Sequence, residues 1–170
     1  MKALLVIDVQ NGVYFDKGQP PYDGAGLLSN INALIGRARA AGVPVLFIQN
    51  KDEKRPPDSA LFDIHPELNV DSGDKRIVKT QRSAFLNTSL KETLDALSVS
   101  ELVICGMKTP FCITAAVEDA AALGYRITVA QDAHSTHDTQ GCSASELIRQ
   151  ANRKFAACAR VCPTSAIDFG

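Results

Sequence analysis

No apolar run in this sequence approaches membrane-spanning length. The longest, Ala3 to Ile7 and Val43 to Ile48, fall far short of the ~20 residues that a helix needs to cross a bilayer. Asp8 cuts the first run too short for the core of a signal peptide, so the expectation is a cytoplasmic protein with no membrane partner. An excess of one charge is missing too. Eighteen Lys and Arg against nineteen Asp and Glu leave a net charge of -1, too balanced for the phosphate-neutralising field of a nucleic-acid binder. A phosphate-binding loop is absent, because Gly24-Ala25-Gly26 follows no strand pattern. The chain has no internal repeat, linker or low-complexity tract. Its five cysteines are an odd number and in the cytosol read as reduced thiols.

What is present is an ordinary globular composition, 45% hydrophobic and 22% charged over 170 residues. That length suits one domain, 1–170, able to bury about two thirds of the surface of the unfolded chain. Short apolar runs alternate with longer stretches of helical period, which is the pattern of a parallel sheet covered by helices. Strands are expected at Lys2–Ile7, Val45–Gln49, Arg76–Lys79, Leu102–Cys105, Arg126–Ala130 and Ala159–Cys162. Leu27, Leu28, Ile31, Leu34, Ile35 and Ala38 mark one helix, closed by Gly42. Leu90, Leu94 and Leu97 mark a second behind the cap candidates Asn87 and Thr88. Cys112–Leu123, closed by Gly124, and Ser143–Ala157 mark two more. Asn50–Lys75 is polar, aperiodic and holds Pro56, Pro57 and Pro66, so it reads as a lid or interface segment.

Ligands of open parallel sheets collect beyond the carboxyl ends of the strands. Three polar residues stand there: Asp8 after the first strand, Lys79 after the third, and Cys112 in the segment following the fourth. Thr109-Pro110 reads as an N-cap and first helical residue, which puts Cys112 in the first turn, where a thiolate is favoured. Cys105 and Cys158 read as core, and Cys142 and Cys162 as surface or packing residues. A nucleophile, a carboxylate base and a lysine are the parts of an acyl-transfer site.

These residues sit in an ordered set of motifs: Leu5-Val6-Ile7-Asp8-Val9-Gln10-Asn11, Ile64-His65-Pro66-Glu67-Leu68, Val78-Lys79 with Ser83-Ala84-Phe85, Cys105-Gly106-Met107-Lys108-Thr109 with Cys112, and Asp132-Ala133. The set resembles the isochorismatase-like cysteine hydrolase superfamily, which includes nicotinamidases and other C–N hydrolases, over nearly the whole chain. The resemblance implies a three-layer α/β/α sandwich on a six-stranded parallel sheet in the order 3-2-1-4-5-6. It implies that Asp8, Lys79 and Cys112 are the catalytic triad, and that a cis Met107–Lys108 peptide precedes an oxyanion hole of the Lys108 and Cys112 backbone N–H groups. It also implies a homo-oligomer acting on a small amide-type substrate; no cofactor is expected. Lys79 ends the outermost strand of that order, about 10 Å from the first strand by interstrand spacing, so its long side chain must span the gap.

The substrate pocket is expected to be small and partly apolar. Val13, Tyr14, Phe85 and Phe111 would line it, with Gln10 and Asn50 as polar contacts and the Lys108 side chain facing an anionic substrate group. The sequence departs from nicotinamidases after the second strand, where Gln49-Asn50-Lys51-Asp52-Glu53 lacks their metal-binding histidines. Asp132, His134, His137 and Asp138 lie on one short segment and read as turn and cap residues rather than a metal site. His65 is expected to organise the lid or a subunit contact. Two other classes fit less of the pattern: a vinyl-ether hydrolase of the isochorismatase type, and a noncatalytic α/β binding module.

Overall fold

In the computed structural model, which describes residues 1–170, alternation along the central strands decides the layering. On β1 (Lys2–Ile7), Ala3, Leu5 and Ile7 point to one side and Leu4 and Val6 to the other, and all five are buried. A strand apolar on both faces needs cover on both. One face packs against α2 (Gly24–Ala40), whose Leu27, Leu28, Ile31, Leu34, Ile35 and Ala38 form its apolar stripe. The other face is covered by α3 (Leu90–Ala96), α4 (Thr114–Ala122) and α5 (Ala144–Phe155). Two hydrophobic cores of 23 and 20 buried residues therefore flank the sheet. Fully burying one Leu or Ile contributes about 1.5–3 kcal/mol.

The sheet also contains β2 (Val45–Asn50), β3 (Lys75–Lys79), β4 (Glu101–Met107), β5 (Arg126–Ser135) and β6 (Arg160–Cys162). All pairings are parallel, and the order is β3-β2-β1-β4-β5-β6, as expected for an α/β/α sandwich. The order reverses between β1 and β4. Gly106 lies beside that point with φ 120°, and a Cβ there would sit 2.1 Å from the Ile7 carbonyl oxygen, so only glycine lets the two strands close up. No helix is long and apolar enough to cross a membrane.

The 51–74 connection folds back as a fixed wall. Backbone N–H groups of Asn11 and Gly12, in the short helix α1 (Asn11–Tyr14), donate to Asp63 and Leu61, and that of His65 donates to Val9, each at 2.9 Å. His65 is buried under Tyr14 and Phe15, with ring centroids 4.4 and 5.6 Å away, so it organises this wall.

Three local expectations are revised. The helix expected from Cys112 begins at Thr114 and is preceded by a π-helical turn, Thr109–Ile113. Thr109 does not cap it, because its hydroxyl is taken by His134 Nδ1 at 2.9 Å. Cys158 is exposed instead of buried: α5 ends at Phe155, and the Cys158 N–H turns back to the Phe155 carbonyl. β5 continues through His134 and Ser135, which were expected in a loop.

Candidate active site

At the switch point the chain leaves β1 through Asp8, whose φ of 52° is left-handed, a conformation that costs a non-glycine residue about 1–2 kcal/mol. Strain of this kind concentrates at functional positions. Its N–H is held by the Ile48 carbonyl at 2.8 Å. The carboxylate Oδ2 lies 2.9 Å from Lys79 Nζ, and both side chains are buried. The same ammonium donates to Cys112 Sγ at 3.2 Å and to the Gln81 carbonyl at 2.9 Å, with Asn50 Oδ1 at 3.4 Å. Lys79 thus reaches across β2 from the sheet edge, and its side-chain length closes the gap anticipated from strand order.

The electrostatics differ from a thiolate site. Burial pushes the Cys112 thiol up to about 12, aided by the Asp8 charge, while Lys79 opposes the shift. The turn that carries Cys112 is π-helical, and burial there works against the thiolate that Lys79 favours. Burial also raises Asp8, against the opposing pull of Lys79 and Cys112. Asp8 Oδ1 is buried with no hydrogen-bond partner, an unsatisfied acceptor in a place where such atoms are rare. The Met107–Lys108 peptide is cis.

A cavity of about 780 Å³ opens over this cluster. Five of its 19 lining residues are hydrophobic, and its surface is divided between polar and apolar parts, which is the partly apolar pocket expected. Val13, Asn50, Phe111 and Lys108 line it. Lys108 is not free to meet a substrate anion, because it pairs with Asp16. Gln10, Tyr14 and Phe85 are not on its wall. Gln10 turns inward, where its amide N–H groups donate to the Asn50 and Phe62 carbonyls at 3.0 and 2.9 Å and its oxygen accepts from Asn50 N–H at 2.7 Å. Tyr14 packs on His65 beneath the wall, and Phe85 stacks on Tyr125 at 6.0 Å in the core on the far face of the sheet. Residues that the sequence reading missed, Phe15, Asp16, Arg55, Leu61 and Arg82, complete much of the lining. Only Arg82 carried a local signal, standing three residues after Lys79.

A second polar cluster lies behind the π-helical turn. Buried His134 bonds Thr109 Oγ1 through Nδ1 and Asn152 Oδ1 through Nε2, both at 2.9 Å. Since the amide oxygen can only accept, Nε2 carries the proton and Nδ1 accepts from the Thr109 hydroxyl. Asp132 Oδ1 accepts from the N–H and hydroxyl of Thr164, and His137 Nε2 donates to the Tyr14 and Gln19 carbonyls. Asp132, His134 and His137 are thereby engaged as tertiary ties.

Fold and site together define a parallel α/β protein with a cysteine, a lysine and an aspartate converging at the topological switch point. An isochorismatase domain model matches residues 2–163, and the chain belongs to the isochorismatase family. It is similar to streptothricin hydrolase of Streptomyces noursei, 34% identical over 143 residues covering 81% of this chain and 51% of that protein. The chain thus spans about half the length of the streptothricin hydrolases it matches. It is also similar to ureidoacrylate amidohydrolase RutB of Variovorax paradoxus, 29% identical over 177 residues covering 82% of this chain and 69% of the relative. Among solved structures, an isochorismatase family protein superimposes with a TM-score of 0.91 at 28% identity, covering 95% of this chain and 97% of that one.

Proposed function

We propose that the protein is a cysteine hydrolase that cleaves a small carboxamide or a related C–N bond through a thioester. The observation that carries this reading is one ammonium, Lys79 Nζ, bridging Asp8 Oδ2 and Cys112 Sγ while Asp8 Oδ1 stays without a partner. The named activity of the ureidoacrylate amidohydrolase relative supports an amide substrate.

Because the resting thiol holds its proton tightly, the proton must leave as the new bond forms. Cys112 Sγ attacks the carbonyl carbon while Asp8 takes the thiol proton, a transfer eased by the raised proton affinity of the buried carboxylate. Lys79 stabilises the anionic character passing between the two. The tetrahedral oxyanion is held by the backbone N–H groups of Lys108 and Cys112. Asp8 then gives its proton to the departing nitrogen, leaving a thioester. Water, deprotonated by the same carboxylate, attacks the thioester and restores the thiol.

Rapid quenching during turnover of a slow amide or ester tests this. An acyl mass on the peptide containing Cys112 is expected. An active enzyme that never accumulates the adduct, even when deacylation is slowed with a poor substrate, overturns the thioester and favours a noncovalent route.

A further inference from the structure

The cavity wall carries two arginines that differ in how they are used. Arg55 pairs with Asp52 and donates to the Gly12 carbonyl. Arg82 has no ion pair and no hydrogen bond; its guanidinium carbon lies 5.0 Å from the centroid of the Phe111 ring, in cation–π contact. Both partners of this stack are tied to the reactive cluster. Phe111 immediately precedes Cys112, and Gln81, just before Arg82, offers its carbonyl to Lys79 Nζ at 2.9 Å. On the other side of Arg82, Ser83 Oγ accepts from the Phe85 and Leu86 N–H groups and donates to Asp119 Oδ2 at 2.5 Å, which fixes the turn to α4. A guanidinium over a ring still offers N–H donors to other partners, in the fork geometry that matches a carboxylate. Of the three lysines on this wall, Lys108 is occupied by Asp16 and Lys17 by the Asp138 carbonyl, and Lys54 lacks the fork.

We propose that Arg82 is a specificity-determining residue that binds a carboxylate on the substrate, so that the amide cleaved at Cys112 carries an anionic group away from its scissile carbonyl. The proposal rests on the amide-hydrolase reading above for its chemistry, and on the free guanidinium of the cavity wall for its ligand.

Paired substrates isolate the charge: succinamate, which carries a carboxylate, and succinamide, its neutral counterpart. Wild type favours succinamate in kcat/KM. In Arg82→Met that preference drops about 10- to 100-fold, the range for one charge-assisted hydrogen bond, chiefly through KM. Arg82→Lys, which keeps the charge but not the fork, restores part of it. A preference that is the same in wild type and Arg82→Met overturns the assignment, whatever the absolute rates. A second arm does not depend on amide chemistry: succinate should slow alkylation of Cys112 by iodoacetamide at mildly alkaline pH, and Arg82→Met should abolish that protection. Arg82-dependent protection in an enzyme that hydrolyses neither amide keeps the carboxylate site and removes the amide reading. Hydrolysis of both amides with protection that ignores Arg82 does the reverse.

Discussion

Two buried polar clusters flank the Thr109–Ile113 turn, and they are built on opposite principles. Around His134 both ring nitrogens have partners, Thr109 on one side and Asn152 on the other, although Nδ1 of neighbouring His137 has none. Around Asp8 one carboxylate oxygen has no partner, burial favours the protonated thiol, and a cavity opens above. A saturated network specifies a structure. The first locks the turn from behind and the second exposes its cysteine in front.

The largest expected effect breaks the incomplete cluster. Cys112→Ala and Asp8→Asn should each lower turnover by about a thousandfold or more, measured against small amides, with the far-UV circular dichroism unchanged. Near-normal activity in Asp8→Asn would remove the proton-transfer role. Lys79→Met comes next. Lys79 holds the Cys112 thiol down against burial, so its loss should move the pH profile of Cys112 alkylation further upward. An unmoved profile would take Lys79 out of the site.

On the saturated side, His134→Leu should leave Thr109 and Asn152 short of partners and cost about 1–3 kcal/mol in denaturant unfolding. Burial holds the His134 proton affinity below the usual histidine range of 6.5, and His65 is shifted the same way. A histidine whose folded pKa is depressed contributes stability above its unfolded pKa and loses it as the pH falls towards the folded value. Thermal stability should therefore decline as the pH drops below about 6.5. His134→Gln should remove part of that slope and leave the share of His65, and an unchanged slope would mean that His134 does not titrate with unfolding. The smallest expected effect is none: a strong chelator should leave turnover unchanged. Activity lost on chelation and restored by zinc, iron or manganese would overturn the structural reading of the Asp132 to Asp138 segment.

Much of this was legible in the sequence. Short apolar runs such as Ala3–Ile7, alternating with segments of helical period, called for a parallel sheet covered by helices, and six such runs matched the six strands. The positions of Asp8, Lys79 and Cys112 beyond strand ends were visible as well. Their meeting was not, since it depends on the Lys79 side chain crossing β2. The cavity lining was the least legible part. Gln10 and Tyr14 look like site residues by their place next to Asp8, yet the 51–74 wall folds against them and turns both inward. Cys158 kept a helical spacing past the point where α5 ends.

The sequence by itself determined the layers, the strand order's chemistry-bearing ends and the family motifs, because periodicity and turn residues act over a few positions. Only the tertiary structure decided that burial pushes the thiol upward, which residues line the cavity, that Lys108 is neutralised by Asp16, and that Arg82 lies over Phe111 without an ion pair. Desolvation, ion pairing and stacking depend on which distant segments share a volume, and in this chain Lys108 and its partner Asp16 are 92 positions apart.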